Sequence, residues 1–218
     1  MRAVVKLGGA LFKRDLQVSV IKSMAKSLVR FAGQENRLVL VAGGGANARE
    51  YIDAARKLGA DESTCDLIGV QVTQVNANIL QIALQSEGLS TVVARELSKL
   101  PVLLQMTNAV VMGGLQPGQS TNTVAVLAAE IIRADVLVNA TDVDGVYTED
   151  PKKNPEAKLL NMVLAGDVFA GRYELLDPLS IKTLERSKIP ARIVSILSPD
   201  NIVRAINGEN IGTRITYE

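Results

Sequence analysis

Three glycine clusters in the sequence could bind phosphate groups. They are Gly8-Gly9, Gly43-Gly44-Gly45 and Gly113-Gly114, and each comes directly after a predicted β-strand. Glycine lets the backbone approach a phosphate closely, and the N-terminus of a following helix offers unpaired N–H groups and the positive end of its dipole. Ordinary tight turns would explain one such cluster. Three together predict a phosphorylated ligand at the carboxyl ends of the strands.

Two cations accompany these glycines. Lys6 ends the first predicted strand, in an otherwise apolar segment beside Gly8-Gly9. Its charge either reaches solvent or points into the ligand crevice, and the adjacent glycine loop favours the crevice. Arg49 falls in the first turn of the helix predicted after the triple glycine, where a cation opposes the helix dipole unless an anion binds there.

Two polar segments could complete such a site. The segment Gln116-Pro117-Gly118-Gln119-Ser120-Thr121-Asn122 offers amide and hydroxyl donors before a predicted helix, which makes it a second anion cradle. The segment Thr141-Asp142-Val143-Asp144-Gly145-Val146-Tyr147 follows a strand, and its carboxylates either hold lysines or a hydrated Mg²⁺ beside phosphates, or only close a turn. Two cradles predict transfer between two phosphorylated ligands.

Two familiar nucleotide-binding motifs fit poorly. Gly43, Gly45 and Ala48 match G-x-G-x-x-A, but the segment 59–62 runs into another predicted helix, not into a second strand that ends in an acidic residue. The Walker-type pattern G-x-x-x-x-G-K-[ST] is absent from the sequence. A bound nucleotide would therefore be held by another loop architecture.

Alternating apolar patterns predict the elements that position these residues. The predicted strands are 2–7, 37–42, 90–94, 109–112, 136–140, 192–196 and 213–216. The predicted helices are 18–29, 46–58, 66–85, 123–132, 179–187 and 201–206. Segment 96–108 is ambiguous, and 142–155 is typical of turns. This alternation predicts an α/β fold with a mainly parallel sheet covered on both faces, and residues 1–218 are expected to form one domain.

Composition excludes several classes of function. The chain has 218 residues, 47% of them apolar, and a net charge of +1, which does not indicate nucleic-acid or anionic-membrane binding. It contains no histidine, so Ser-His-Asp and Cys-His catalysis and histidine-based zinc sites are excluded. A single cysteine, Cys65, and the absence of a signal-peptide pattern lead us to expect a soluble, cytoplasmic protein.

Several segments together resemble a known family. They are V-V-K-L-G-G-A at 4–10, V-A-G-G-G-A-N-A-R-E-Y-I at 41–52, C-D-L-I-G at 65–69, G-G-L-Q-P-G-Q-S-T-N at 113–122, A-T-D-V-D-G-V-Y-T-E-D-P-K at 140–152 and L-L-D-P-L-S-I-K at 175–182. In this order they resemble the amino acid kinase superfamily, and most closely the archaeal-type uridylate (UMP) kinases. The similarity extends over essentially the whole chain.

The resemblance implies a fold and a reaction. The fold is a three-layer αβα sandwich around a mainly parallel central sheet, usually assembled as a homohexamer. The reaction is transfer of the γ-phosphoryl group of MgATP to UMP, which gives UDP and ADP in pyrimidine nucleotide biosynthesis. Mg²⁺ would arrive with ATP, held mainly by its phosphates and by no dedicated protein metal site. The N-terminal part would hold mainly UMP and the C-terminal part mainly ATP.

The resemblance also implies roles for individual residues. Lys6 and Asp144 match catalytic positions: Lys6 is the cation on the transferring phosphates, and Asp144 orients the lysine. The positions that match ATP contacts are Gly9, Ala10, Gly45, Arg49, Thr141, Asp142, Tyr147 and Asp150. The positions that match UMP contacts are Gly44, Asp66, Gly114, Leu115, Gln116, Pro117, Gly118, Gln119 and Ser120. Phosphoryl transfer needs positioning and charge neutralisation more than a strong base, which agrees with a chain that lacks histidine.

The sequence departs from the family pattern at three positions. Ala10 stands where many relatives have serine, so one hydroxyl donor to a phosphate is missing, and we expect slower turnover or weaker binding. Asn122 stands where aspartate is usual before a helix, and asparagine caps a helix about as well. Gln74 stands where arginine is common, and Lys182 is a candidate second cation near the phosphates.

Two alternatives to a UMP kinase stay open at this point. The first is another kinase of the superfamily that phosphorylates a carboxylate or a carbamate. It is disfavoured because Asp66 suits ribose hydroxyls and would repel an anionic amino acid. The second is a nucleotide-binding regulatory subunit that does not turn over, which the departures at Ala10 and Asn122 motivate.

Overall fold

The computed structural model describes residues 1–33, 36–151, 153–168 and 176–217. Lys152 and Leu175, each at one end of a quoted motif, lie outside these ranges. Within them the strands are β1 Arg2–Leu7, β2 Arg37–Ala42, β3 Thr91–Ala94, β4 Ala109–Met112, β5 Val136–Thr141, β6 Val146–Tyr147, β7 Leu159–Leu160, β8 Met162–Leu164, β9 Ala191–Ser195 and β10 Thr213–Thr216. The helices are α1 Val18–Ala32, α2 Gly45–Lys57, α3 Glu62–Ser86, α4 Leu100–Met106, α5 Thr121–Ile132, α6 Ala165–Asp167, α7 Pro178–Ser187 and α8 Pro199–Ile206.

Eight strands form the main sheet, in the order β3-β4-β2-β1-β5-β9-β10-β8. All neighbouring pairs in this sheet are parallel except β9 with β10. β6 and β7 pair with each other as a separate antiparallel ribbon. The predicted mainly parallel sheet is therefore confirmed.

Alternate residues of the central strands pack into two apolar cores, one on each face of the sheet. Val5 and Leu7 of β1 pack with buried residues of α1, α3 and α8, whereas Val4 packs with buried residues of α4, α5 and α7. The central strands are consequently buried on both faces, as their unbroken apolar runs predict. This gives the expected three-layer αβα arrangement.

Some elements differ from the sequence prediction. The ambiguous segment 96–108 contains α4, which starts with Pro101 in its first turn and packs Leu100 and Leu104 into the core. The segment interpreted as turns contains β6, and β7 and β8 follow it. These strands have only two or three residues, too few for a periodic apolar pattern to develop.

α3 is the longest helix of the described part of the chain and has an unusual surface. It packs against α1, α2 and strands of the sheet. By length and composition alone it is apolar enough to cross a membrane. Its residues Ile68, Val72, Val75, Ile79 and Ile82 recur at alternating spacings of four and three, which places them along one side of the helix. Val75 and Ile82 are 59% and 61% exposed.

Candidate functional site

The predicted phosphate loops converge because their strands are neighbours in the sheet. β4, β2, β1 and β5 are adjacent and parallel, so their carboxyl ends share one edge. The loops that follow them begin at Gly113, Gly43, Gly8 and Asp142. Residues from four separate parts of the chain thus lie at one edge of the sheet, where open α/β sheets have their ligand-binding crevice.

The first two glycine loops are in direct backbone contact. The N–H of Gly8 donates to the Ala140 carbonyl at 2.8 Å, and the N–H of Gly43 donates to the Leu7 carbonyl at 2.9 Å. A Cβ atom on Gly9 would lie 2.9 Å from the Cα of Gly45. The two loops can be this close only because neither carries side chains there. Their glycines form one continuous backbone surface.

Gly45 has a second reason to be glycine. Its φ is +71°, and a Cβ there would overlap the Phe12 carbonyl oxygen. Gly45 also begins α2, and the residue before it, Gly44, has no side chain with which to cap the helix. The first N–H groups of α2 therefore have no side-chain cap from that position, which suits a bound anion.

Lys6 lies between these loops and the end of β5. In register it faces Val41 of β2 and Asn139 of β5. Burial lowers the pKa of its ammonium to about 8, although the negative charges of Asp142 and Asp177 oppose the shift. Lys6 is half-buried, and a cation so placed at the carboxyl edge of the sheet can neutralise phosphate oxygens with less screening than in bulk water.

The Asp177 carboxylate accepts hydrogen bonds from three groups. One carboxylate oxygen accepts from the Ser120 hydroxyl, and the other from the Thr123 hydroxyl at 2.8 Å and the Ser180 N–H at 3.0 Å. Partial burial raises the pKa of Asp177, but the hydrogen bonds from Ser120, Thr123 and Ser180 outweigh it and leave the pKa below its usual value. Asp177 is therefore an ionised carboxylate that joins the N-terminus of α7 to that of α5.

α3 holds the loop after β4 in place. Thr73 accepts the N–H of Gly114 on its hydroxyl at 2.6 Å, and Gln74 donates its amide N–H to the Gly114 carbonyl at 2.6 Å. At the other end of the loop, the N–H of Gly118 donates to the Asp66 carboxylate at 2.8 Å. The structure thus brings Asp66 together with the 114–120 loop, as one wall of the crevice. Within that loop Leu115, Pro117 and Gln119 are half-buried, and Gln116 is exposed.

The residues predicted on the ATP side follow β5. Asp142 and Asp144 are exposed, and Thr141 donates its hydroxyl to Asp142 at 3.3 Å. The Tyr147 hydroxyl donates to Asp144 at 3.4 Å, and desolvation together with the Asp144 charge raises the pKa of Tyr147. Of the two carboxylates after β5, Asp142 is the one whose charge acts on Lys6.

The remaining positions on this side are more peripheral. The Asp150 carbonyl accepts the N–H groups of Lys153 and Asn154, at 3.0 and 2.9 Å, and so closes the turn after β6. Arg49 is exposed on α2, where it is the fifth residue of the helix and so lies just beyond the first turn. Lys182 is exposed on α7 and pairs with Glu185 at 3.3 Å.

One expectation about a helix start is wrong. Sequence reasoning placed Asn122 before the helix as its cap, but α5 begins at Thr121 and Ser120 is the N-cap. The Ser120 hydroxyl oxygen accepts the N–H of Thr123 at 3.1 Å, while Asn122 lies inside the first turn. Serine caps a helix because its short side chain folds back on the third residue of the helix.

Sequence reasoning missed Asp177, Thr73 and Asn76. Asp177 could have been found, because an aspartate directly before a proline that opens a helix is a typical N-cap. Asn76 is buried in α3 and donates to the carbonyls of Gly43 and Gly44, at 2.8 and 3.1 Å. Its role and that of Thr73 depend on how α3 crosses the loops, which no local pattern shows.

Comparison with known proteins gives a consistent result. The model of the amino acid kinase family matches residues 1–195. The chain is 40% identical to the uridylate kinase of Archaeoglobus fulgidus, covering 99% of this chain and 100% of that protein. It is 39% identical to the uridylate kinase of Methanosarcina mazei, covering 96% of this chain and 93% of the relative. The uridylate kinase of Hyperthermus butylicus is 40% identical, covering 98% of this chain and 97% of that protein.

Solved structures of uridylate kinases are also similar to this chain. The crystal structure of uridylate kinase from Archaeoglobus fulgidus superposes with a TM-score of 0.87 at 37% identity, covering 99% of this chain and 100% of that one. The UMP kinase structure from Bacillus anthracis superposes with a TM-score of 0.85 at 23% identity, covering 100% of this chain and 96% of that one. At that identity the second likeness concerns the fold alone.

Proposed function

The chain belongs to the amino acid kinase family, in its uridylate kinase branch, and from this premise we propose that it is a UMP kinase. It transfers the γ-phosphoryl group of MgATP to UMP and releases UDP and ADP, a step of pyrimidine nucleotide synthesis. The observation that carries the proposal is the convergence of two anion cradles on Lys6. One is the glycine surface of the β1 and β2 loops, and the other is the 114–120 loop with the N-terminus of α5.

In the proposed reaction, a phosphate oxygen of UMP attacks the γ-phosphorus of ATP, and the bond from that phosphorus to the β,γ-bridging oxygen breaks. The negative charge that builds on the transferred group is neutralised by Lys6 and by the N–H groups at the start of α2. Asp66 accepts from the UMP ribose hydroxyls while it holds Gly118. The backbone and amide groups of the 114–120 loop contact the acceptor phosphate and the uracil.

Mg²⁺ is part of the nucleotide substrate in this proposal. It would neutralise charge on the phosphates, and the exposed carboxylates of Asp142 and Asp144 are hard oxygen groups that would suit it or its water shell. ATP is held by Gly9, Ala10, Gly45 and Arg49 on one side. On the other side it contacts Thr141, Asp142, Tyr147 and Asp150.

The alanine at position 10 does not argue against catalysis. Its methyl group packs against the apolar core beneath the first glycine loop. The Ala10 side chain cannot donate to a phosphate oxygen, so the N–H groups of the glycine surface must supply that contact. We expect weaker ATP binding than in a relative with serine at this position, with turnover retained.

We further propose that the chain forms a homo-oligomer, a homohexamer by its resemblance to the family. The apolar stripe on α3 supports contact with a second copy. Between Leu67 and Ser86 the helix has no charged residue, so two copies could pack this face together without repulsion between like charges. Light scattering combined with size-exclusion chromatography, on the wild type and on Val75→Glu, tests this. The glutamate is expected to lower the mass of the assembly.

A single domain and a cytoplasmic location complete the proposal. One continuous sheet carries residues of both nucleotide sites, which supports a single folding unit with UMP mainly on the N-terminal part and ATP mainly on the C-terminal part. A lone buried cysteine suits a reducing compartment. Neither nucleic acid nor a membrane is needed as a partner.

The decisive experiment measures ADP release with MgATP against UMP, CMP, dUMP, AMP, GMP, acetylglutamate, aspartate and carbamate. Turnover dominated by UMP is expected. Preference for a carboxylate or carbamate would replace the proposal with the first alternative. Absence of turnover with all acceptors, with ATP or UMP still binding in calorimetry, would replace it with a nucleotide-binding regulatory subunit. If UMP turns over, its loss in Lys6→Ala excludes a contaminating kinase.

A further inference from the structure

Asp177 has more hydrogen bonds than a helix cap needs. An N-cap has to accept one N–H group, and the Ser180 N–H at 3.0 Å provides it. The same carboxylate also accepts the hydroxyls of Ser120 and Thr123, 57 and 54 residues away in the sequence. These two contacts do nothing for α7 itself. They fix the start of α5 relative to the start of α7.

These contacts also constrain the acceptor cradle, which is the 114–120 loop with the N-terminus of α5. Ser120 ends the 114–120 loop and caps α5, and its hydroxyl hydrogen is directed to Asp177. That hydroxyl is therefore not available to donate to a substrate, and Ser120 can contact an acceptor phosphate only through its backbone. The carboxylate thus sets where the backbone donors of the cradle lie.

The charge of Asp177 has a second target. Its negative charge, at the start of α7, and that of Asp142, at the end of β5, both raise the pKa of Lys6. Strands β2 and β5, which flank Lys6, present Val41 and Asn139 at its level, and neither is charged. The first turn of α5 has the sequence Thr121-Asn122-Thr123, which is also uncharged. Two carboxylates from different elements therefore favour the charged form of one half-buried lysine.

We propose that Asp177 is a positioning residue of the kinase, which holds Lys6 in its charged form and locks the acceptor cradle at a fixed place relative to it. The proposal rests on the UMP kinase function proposed above. Asp177 touches neither substrate. It acts through Lys6 on the transferred phosphate and through Ser120 and Thr123 on the acceptor.

The first test is Asp177→Asn, which removes the negative charge of the side chain and keeps its shape. Asparagine still accepts the Ser180 N–H, but it no longer opposes the desolvation of Lys6. We expect the pKa of the Lys6 ammonium to fall by about half a pH unit or more. The readout is the ¹³Cε resonance of Lys6 in lysine-labelled protein, assigned with Lys6→Arg. It needs no turnover, so it remains informative even if UMP is not the acceptor.

Kinetics give the second readout of the same variant. Lys6 acts as a cation, so kcat/KM for MgATP falls as pH rises through the pKa of Lys6 in the free enzyme. In Asp177→Asn this fall is expected at lower pH than in the wild type. Asp177→Glu restores the charge. In that variant kcat/KM should fall at a pH closer to that of the wild type. A purely structural role would lower kcat at every pH and leave the profile in place.

A second pair of variants separates the cradle from the charge. Thr123→Val and Ser120→Ala each remove one hydroxyl from Asp177 and leave its carboxylate. We expect the KM for UMP to rise severalfold with the pH profile unmoved. These variants also test the proposal if Asp177→Asn fails to fold, because wild-type KM values in both would then overturn it.

Asp61→Asn is the matched control. Asp61 caps α3 by accepting the N–H of Thr64 at 2.8 Å, so the same chemical change is made at another helix start, one that does not face Lys6. Neither the Lys6 titration nor the KM for UMP should change in this variant. The proposal is overturned if Asp177→Asn leaves the Lys6 titration where it is, or if Asp61→Asn moves it equally.

Discussion

At the carboxyl edge of the sheet helices begin, and at the amino edge helices end. α2, α5 and α7 start at the carboxyl edge, at Gly45, Thr121 and Pro178. There the side chains of Ser120 and Asp177 cap α5 and α7, whereas α2 has no side-chain cap. α4, α5 and α8 finish at the opposite edge, where their last carbonyl groups carry partial negative charge.

The protein handles the two edges differently. At the amino edge arginine side chains cover the helix ends: Arg2 donates to the Ile132 carbonyl at 2.9 Å, Arg37 to the Leu104 carbonyl at 2.8 Å, and Arg192 to the Gly208 carbonyl at 3.2 Å. At the carboxyl edge, by contrast, α2 starts after a glycine that offers no cap. The protein's own arginines cover helix ends at the amino edge, whereas at the carboxyl edge the start of α2 has no side-chain cap and suits a ligand.

This difference shows why a cluster of cations is not by itself an anion site. Arg2, Arg37 and Arg133 line a cavity of about 380 Å³ at the amino edge. The guanidinium groups of Arg2 and Arg37 already donate to helix carbonyls, so they stabilise the fold. Lys6, a single cation, is the better candidate for phosphate because it lies at the edge where α2 starts without a side-chain cap.

The largest expected effect comes from removing the cation at the carboxyl edge. In Lys6→Met we expect UMP kinase kcat/KM to fall by about 10³, the usual consequence of losing a preorganised donor to the transition state. At neutral pH the free energy of unfolding should stay the same or rise, because methionine removes the cost of burying an ammonium. Steady-state kinetics and urea unfolding measure the two quantities.

The pH dependence of unfolding sharpens this test. The folded pKa of Lys6, about 8, lies below the ordinary lysine value of 10.5, so above pH 8 the unfolded chain binds more protons than the folded one. Lys6 therefore contributes a gain in stability as pH rises from about 8 to 10.5, while activity declines over the lower part of that range. Lys6→Met should lack this gain. An identical pH dependence in both proteins would contradict the assignment.

A glycine exchange is expected to have the next largest effect. In Gly45→Ala the methyl group overlaps the Phe12 carbonyl oxygen at a φ of +71°. The expected loss in the free energy of unfolding is about 3 kcal/mol, from overpacking and a left-handed backbone together. Gly59→Ala is the control, since Gly59 has a φ of +94° and no described atom within 4 Å of the added Cβ. It should cost about 1 kcal/mol. Equal losses in urea unfolding would mean that the β1 and β2 loops are not packed as described.

The smallest effect is expected at the amino edge. Arg37→Met removes the donor to the Leu104 carbonyl and should lower the free energy of unfolding by about 1 kcal/mol. UMP kinase kcat/KM should not change, because the amino edge is remote from the crevice. Arg30→Met, which breaks an exposed pair with Asp200, is the control and should cost less than about 0.5 kcal/mol. A clear loss of activity in Arg37→Met would mean that the two edges are not independent.

Most of the fold could be predicted from the sequence. The predicted bounds of β1, β2, β4 and β10 agree with the structure, because each is a short run bounded by clear turn signals. The long helices were found within a few residues. β6, β7 and β8 were missed because two or three residues carry no period, and the start of α5 was misplaced because Ser120 and Asn122 are both good capping residues.

The sequence by itself determined the candidate phosphate-binding residues and the elements that hold them. The glycine clusters, Lys6 and Asp66 are recognisable from local pattern and family likeness, since each depends on its nearest neighbours in the chain. Only the tertiary structure decided which charges face Lys6. Asp177 lies 171 residues from Lys6, and its charge acts on Lys6 because β1 occupies the centre of the sheet and α7 begins at the edge where β1 ends. Strand order and helix crossing are set by packing over the whole chain, which no local pattern records.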